Sequence, residues 1–461
     1  MPSEPRIGGS FRDPSGFLFK HKGEVFRQVN SSYRQEYELF KKSGLYKELT
    51  DEGLLISHRE VNLNAADPRR AYKILKPTQL EFITYPYEWS FSQLKDAALL
   101  TLELQKRALV RRLWLKDAAT TNIQFHRGRP MLVDSLSFEA YPEGQPWVAY
   151  RQFCQHFLAP LALMTTRDVR LSQLLRVHTD GIPLDLASRL LPWQTRLNLG
   201  LLTHIHLHAV AQERYAGKAV PKQQGHGGVS KIALLGLIDN LERTVRGLHW
   251  KPAGTAWGDY TCETSYSQKA AKHKKQIVSE FIGRTKAKTL WDLGANVGFY
   301  SRLASQRGIF TVAVDSDPTA VELNYLQVKK DREQNLLPVT IDLTNPSASI
   351  GWANEEQQSL IERGPADAIM ALALIHHFAI ANNVPMDRVA KFFGRLGAWL
   401  IIEFVPKSDP QVQRLLAARK DIFTDFHLEG FRAAFKRHYR IVAESAIHDS
   451  ERRIFLLRRS G

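Results

Sequence analysis

The chain has only two cysteines in 461 residues, Cys154 and Cys262, and no metal-ligand spacing involves them. That excludes a disulfide framework and suits a reducing compartment. The opening stretch, MPSEPRIGGSFRDPSG, is polar and lacks the apolar core of a secretory signal. No apolar run reaches the about 20 residues that a bilayer span needs. Internal repeats and long low-complexity runs are also missing. Together these absences predict a cytoplasmic protein without a membrane partner. What is present is ordinary apolar content, 44%, on a chain long enough for two or three domains. Net charge is +16, spread as +10 over residues 1–250 (34 basic, 24 acidic) and +6 over 251–461 (29 basic, 23 acidic). A diffuse basic surface favours anionic partners, such as nucleotides, phosphorylated substrates or nucleic acid.

YAGKAVPKQQGHGG (215–228) and KPAGTAWGDY (251–260) are rich in Gly, Pro and polar residues and read as linkers. They divide the chain into an α+β part, 1–250, and an α/β part, 251–461. In the second part strands alternate with helices. TLWDL, FTVAVD, LPVTIDL, DAIMALALI and AWLIIEFV read as strands. NVGFYSRLASQ, PTAVELNYLQVKKD, EEQQSLIER, MDRVAKFFGRL and DPQVQRLLAAR read as helices. Such alternation predicts a parallel sheet covered on both faces. YRIVAESAI and RRIFLLRR follow each other without a helix, so they should pair antiparallel.

The turn after the first strand, in KTLWDLGANVGFYSRLA (288–304), lies where open α/β sheets bind ligands. A dinucleotide site wants G-x-G-x-x-G there, to meet a pyrophosphate. Gly294, Asn296 and Gly298 depart from that pattern. Asp292 would repel a pyrophosphate but suits the ammonium and sulfonium of S-adenosylmethionine. Asp315 follows 23 residues later at the end of the second strand, near the interval at which a carboxylate takes ribose hydroxyls. Asp317 is its close rival. Asp342, ending the third strand, is placed for the adenine edge.

D-L-G-x-N-x-G resembles the first motif of class I S-adenosylmethionine-dependent methyltransferases, with asparagine for the middle glycine. ALALIHHFAIANNVP and IIEFVPKSDPQ extend the resemblance to bacterial methyltransferases related to nodulation protein NoeA, over most of the chain. The resemblance implies a Rossmann-like seven-stranded sheet with an antiparallel last strand. His376 and His377 end the fourth strand, beside the expected sulfonium, and histidine near neutral pH can take a proton from an acceptor. Glu403 ends the fifth strand. It is expected to face the acceptor or to fix a histidine tautomer. NPS at 345–347 follows the third strand and lacks an aromatic, so it is not the box of amino-group methylases. The acceptor itself stays unassigned, an anionic one being favoured by charge.

In the first part, residues 11–30 read as a β-hairpin turning at Lys22-Gly23, and 88–110 as a long amphipathic helix. LWLKDAATTNIQFHRGRPMLVDSLSFE (113–139) has the spacing of a kinase catalytic loop. Asp117 and Asn122 fall at the catalytic Asp and Asn, and Asp134 at the magnesium-binding Asp. EFITYPYEWS (81–90) falls where a kinase hinge strand would be. Leu115-Lys116 replaces His-Arg, Ser-Leu follows Asp134, and no Gly-rich loop occurs. This kinase-like resemblance implies ATP and magnesium in the N-terminal part. It supports an alternative reading as a phosphotransferase with a regulatory second half. A third reading is a non-catalytic RNA-binding or assembly protein. Trp193, Trp250 and Trp257 are expected near a cleft between the parts.

Overall fold

Seven strands of the second part form one sheet, and their order explains where its pocket lies. The computed structural model describes residues 6–215, 228–252, 267–417 and 420–460. It divides into two compact units: residues 1–251 with 350–357, and residues 252–349 with 358–461. Most of both expected linkers, Trp257 and Cys262 lie outside the described residues.

In the N-terminal unit, β1 (Gly16–His21), β2 (Glu24–Asn30), β3 (His58–Glu60) and β4 (Ala71–Pro77) form an antiparallel sheet in the order β1-β2-β4-β3. The β1–β2 turn is Lys22-Gly23, both with positive φ, the geometry whose twist matches the flanking strands. Helices Arg34–Lys42 and Leu45–Asp51 lie between β2 and β3 in sequence. The long helix is Phe91–Val110. It starts where Ser90 accepts from the Gln93 N–H while the Gln93 side chain accepts from the Ser90 N–H. Two short ribbons follow: β5 (Leu113–Leu115) pairs with β8 (Phe138–Ala140), and β6 (Ile123–His126) with β7 (Arg129–Leu132).

The stretch 81–90 forms no strand, contrary to expectation. The Gln124 side chain exchanges hydrogen bonds with the backbone of Thr84, and Pro86 opens a short 3-10 turn. Trp193 is exposed, and Trp250 packs its ring near Phe91 within the same unit.

In the C-terminal unit, β9 (Thr289–Leu293), β10 (Phe310–Asp315), β11 (Leu336–Thr340), β12 (Ala366–Ala371), β13 (Gly397–Phe404), β14 (Tyr439–Ala446) and β15 (Arg453–Arg459) run in the order β11-β10-β9-β12-β13-β15-β14. Strand β15 alone runs opposite to the other six, pairing antiparallel with both β13 and β14. The parallel strands are nearly continuous apolar runs, as burial on both faces requires. Chain order reverses between β9 and β12, which opens a crevice beyond their carboxyl ends.

Helices Pro318–Asp331 and Met386–Leu396 match the expected segments. Three readings need correction. EEQQSLIER is not helical: Leu360 and Ile361 are its only apolar residues and make no stripe, Gln357 bridges to Ile350, and the Glu362 carboxylate accepts from Ser349 and Ser359. The helix in NVGFYSRLASQ is only Ser301–Ser305, because Asn296 and Gly298 take positive φ. Helices Gln268–Thr285 and Leu428–Lys436 escaped the sequence reading. No helix of the described residues is long and apolar enough to cross a membrane.

Candidate cofactor pocket and its buried charges

A pocket of about 390 Å³ opens at the crevice. Four strand ends supply its walls: Gly294 and Asn296 after β9, Asp315 and Ser316 at β10, Asp342 after β11, and His377 and Phe378 after β12. Leu372, Leu374, Ile341 and Leu343 add apolar surface.

The turn is held from below. The Gly294 and Ala295 N–H groups both donate to the Val314 carbonyl. Asn296 takes a left-handed conformation, and its N–H donates to Asp315 Oδ2 at 2.7 Å. Asp315 Oδ1 accepts from the Asp317 N–H at 2.9 Å. Burial raises the Asp315 pKa against these donors. Asp317, its rival in the sequence, caps helix Pro318–Asp331 by accepting from the Thr319 N–H. Asp342 is exposed on the rim, and its Oδ1 accepts from the Thr344 N–H and hydroxyl.

Four predicted residues do not line the pocket. Asp292 is buried behind the turn, where Ser301 Oγ donates to its Oδ2 at 2.6 Å. Burial pushes its pKa up to about 7, Ser301 opposing and Asp315 adding to the rise. Gly298 is a packing residue: a Cβ there would lie 2.6 Å from the Asn324 amide, on helix Pro318–Asp331. His376 is buried next to His377, their rings 4.3 Å apart, and its Nδ1 has no hydrogen-bond partner among the described residues. Burial, then His377 and Arg452, push its pKa down to about 3.

Glu403 is the clearest departure. It is fully buried on β13, where it accepts from Lys274 Nζ at 2.6 Å and faces Arg452 Nη1 at 3.4 Å. Arg452 also donates to Asp409 Oδ2 at 2.6 Å. The carboxylate thus ties three segments together, and its charge also acts on His376. Lys274, Arg452 and Ser301 were missed by sequence reasoning. Lys274 and Arg452 lie far from the motif in the chain and carried no signal. Ser301, one turn into the motif helix, could have been suspected.

In the N-terminal unit the predicted trio does come together. Asp117 accepts from the Ala119 N–H and Gln152 Nε2, and Asn122 bonds to it as well. Burial, then Asp134, raises the Asp117 pKa. Asp134 is paired with Arg27 and accepts from the Leu136 N–H and Ser137 Oγ. Burial opposes its ionisation, but these partners outweigh it and hold its pKa low.

A β11-β10-β9-β12-β13-β15-β14 sheet, with a carboxylate-lined pocket at its switch point, defines the class I S-adenosylmethionine-dependent methyltransferases. No family profile matches the chain. Over 465 residues it is 35% identical to nodulation protein NoeA of Rhizobium meliloti (strain 1021), covering 100% of this chain and 97% of that one. The chain belongs to the NoeA family.

Solved structures similar to it include N-methyltransferase NodS from Bradyrhizobium japonicum WM9 with S-adenosyl-L-homocysteine (TM-score 0.32, 10% identity, 42% of this chain and 88% of that one). Magnesium protoporphyrin IX methyltransferase ChlM from Synechocystis PCC 6803 is another (0.31, 16%, 43% and 90%). A third is the bifunctional kinase-methyltransferase WbdD (0.30, 15%, 45% and 43%). The match spans less than half the length of WbdD. At such scores the class rests on strand order and site.

Proposed function

We propose that the C-terminal unit binds S-adenosylmethionine in this pocket and directs its methyl group to an anionic acceptor. The observation that carries the reading is Asp315, half-buried at the end of β10 and fixed by two backbone N–H groups on the pocket wall. The donor set suits the cofactor: two carboxylates at neighbouring strand ends for hydroxyl and amino groups, and Leu372, Leu374 and Phe378 for a planar base. When bound, the cofactor supplies an electrophilic methyl group on a sulfonium. The residues of the chain orient and shield the partners. Gly294 keeps the mouth open by lacking a side chain. His377, on the pocket wall, is placed to take a proton from the acceptor. His376 stays neutral in its buried site, since an imidazolium there is unfavourable.

Calorimetry with S-adenosylhomocysteine, followed by labelled-methyl transfer from S-adenosylmethionine into cell extract, tests the reading. Micromolar binding and a labelled product are expected. A folded protein that binds no S-adenosylhomocysteine would sink it.

The pH dependence has a defined sign. The Asp292 carboxyl ionises near pH 7, and its anion favours the cationic cofactor. Affinity for S-adenosylmethionine should therefore fall several-fold as pH drops from 8 to 6, the size expected for a charge acting from behind the turn. Asp292→Asn should flatten the profile. A wild-type affinity that does not move over this range would show that Asp292 does not sense the cofactor's charge.

A second reading concerns the N-terminal unit, where Asp117, Asn122 and Asp134 lie together and the sequence resembles a kinase catalytic loop. Both carboxylates are already engaged, Asp134 by a guanidinium. The set as it stands does not fit a magnesium ion, and no phosphoryl-transfer step follows. We read this unit as a kinase-like scaffold for acceptor recognition.

A further inference from the structure

Arg27 is a charged side chain turned inward in the N-terminal unit. It stands on β2, between β1 and β4, opposite Leu18 and Leu75. Side chains alternate between the faces of a strand, so Arg27 shares a face with Val29. Val29 packs in one apolar cluster with Tyr33, Tyr37 and Leu136. That packing carries Arg27 to the segment just before Leu136, where its guanidinium donates to Asp134 Oδ1. Both side chains are nearly buried, 13% and 12% exposed.

The acids beside it form one connected cluster. Asp134 Oδ1 also accepts from the Leu136 N–H at 3.0 Å, and Oδ2 accepts from Ser137 Oγ at 2.6 Å. Ser137 Oγ in turn accepts from Asn122 Nδ2 at 3.5 Å, and Asn122 bonds to Asp117. Asp117 takes its other hydrogen bonds from neutral donors, the Ala119 N–H and Gln152 Nε2. The neighbouring Lys116 is directed elsewhere. Its Nζ donates to Ser15 Oγ at 2.6 Å, lies 3.9 Å from Asp13 and stands 4.6 Å from the centre of the Tyr33 ring. Among the described residues, Arg27 is the one cation paired with either acid.

Burial disfavours a carboxylate anion unless charge or hydrogen bonds offset it, and two nearby carboxylates add mutual repulsion. A divalent cation is one offset, and it takes carboxylate oxygens directly. Here the offset is already built in. The guanidinium neutralises Asp134, shares Oδ1 with a backbone N–H, and repels a second cation. Arginine stays protonated at all ordinary pH values, so this charge is lost neither to a chelator nor to a rise in pH.

We infer that Arg27 is the resident cation of the Asp117–Asp134 cluster. It supplies from β2 the positive charge that a kinase catalytic loop takes from magnesium, so the N-terminal unit needs no metal. This holds whatever the C-terminal unit binds.

Manganese is the probe, because its free ion is counted by electron paramagnetic resonance. Titrated into the full wild-type chain, it should show no site that Asp134→Asn removes. Arg27→Ala leaves the two carboxylates without a counter-charge and should create a manganese site at least tenfold tighter than any in the wild type. Asp134→Asn in that background should abolish the site, and Arg27→Lys, which keeps a cation, should not create it. Magnesium at about 10 mM should raise the unfolding temperature of the Arg27→Ala protein and leave that of the wild type unmoved, and EDTA should reverse the gain. Arg27→Gln, which keeps a hydrogen-bond donor, gives the same comparison if the alanine protein does not fold. A manganese site in the wild type that Asp134→Asn removes overturns the inference. So does a folded Arg27→Ala or Arg27→Gln protein that binds manganese no better than the wild type.

Discussion

Glu403→Ala lowers the stability of the C-terminal unit by about 3–5 kcal/mol, the range for removing one partner of a buried ion pair. The effect is large because Glu403 has no access to solvent and serves two cations, Lys274 and Arg452, that are themselves buried. Arg452 keeps Asp409 as a partner. Lys274 keeps the Tyr300 ring at 4.9 Å and the charge of Asp292, but burial already pushes its pKa down, so loss of Glu403 favours release of its proton. The double change Lys274→Met with Glu403→Leu removes both charges and should recover a substantial part of the loss. Urea unfolding of the full chain, followed through the transition of this unit, measures both. A single-variant loss under about 1 kcal/mol would mean that the network is better solvated than its burial indicates.

Asp315→Ala should weaken S-adenosylhomocysteine binding by roughly 2–3 kcal/mol, about 30- to 150-fold. Two effects combine. A carboxylate for the ribose hydroxyls is lost, and the Asn296 and Asp317 N–H groups lose their acceptor. Asp315→Asn keeps the shape and part of the acceptor set, and should fall between wild type and alanine. Asp317→Ala is the contrasting control. It removes an N-cap worth about 1 kcal/mol of helix stability but no pocket residue, so affinity should hold. An affinity for the Asp315→Ala protein within threefold of wild type would remove Asp315 from the site.

The strands and the motif turn were readable because their signals are local. Buried parallel strands appear as apolar runs, and the turn after β9 carries glycines and an asparagine where positive φ is needed. Asp315 and Asp342 were likewise legible, since a carboxylate just past a strand of an open α/β sheet falls at the ligand-binding edge. Asp117, Asn122 and Asp134 were singled out by their spacing alone, and folding brings them together. Helix Gln268–Thr285 was overlooked because its first turns, QKAAKHKK, are dominated by lysines and hide the apolar stripe.

What only the tertiary structure decided is which polar residues face the pocket. Sequence position put Asp292, His376 and Glu403 at the right strand ends. It could not show that Ser301 would cover Asp292, that His377 rather than His376 would reach the wall, or that Lys274 and Arg452 would claim Glu403. By itself the sequence determined the strands of the second sheet and which polar residues stand at their ends, since both follow from short-range patterns. The pairing of buried charges and polar groups depends on partners from other elements, 129 residues apart for Lys274 and Glu403, and only the folded chain brings them within hydrogen-bond reach.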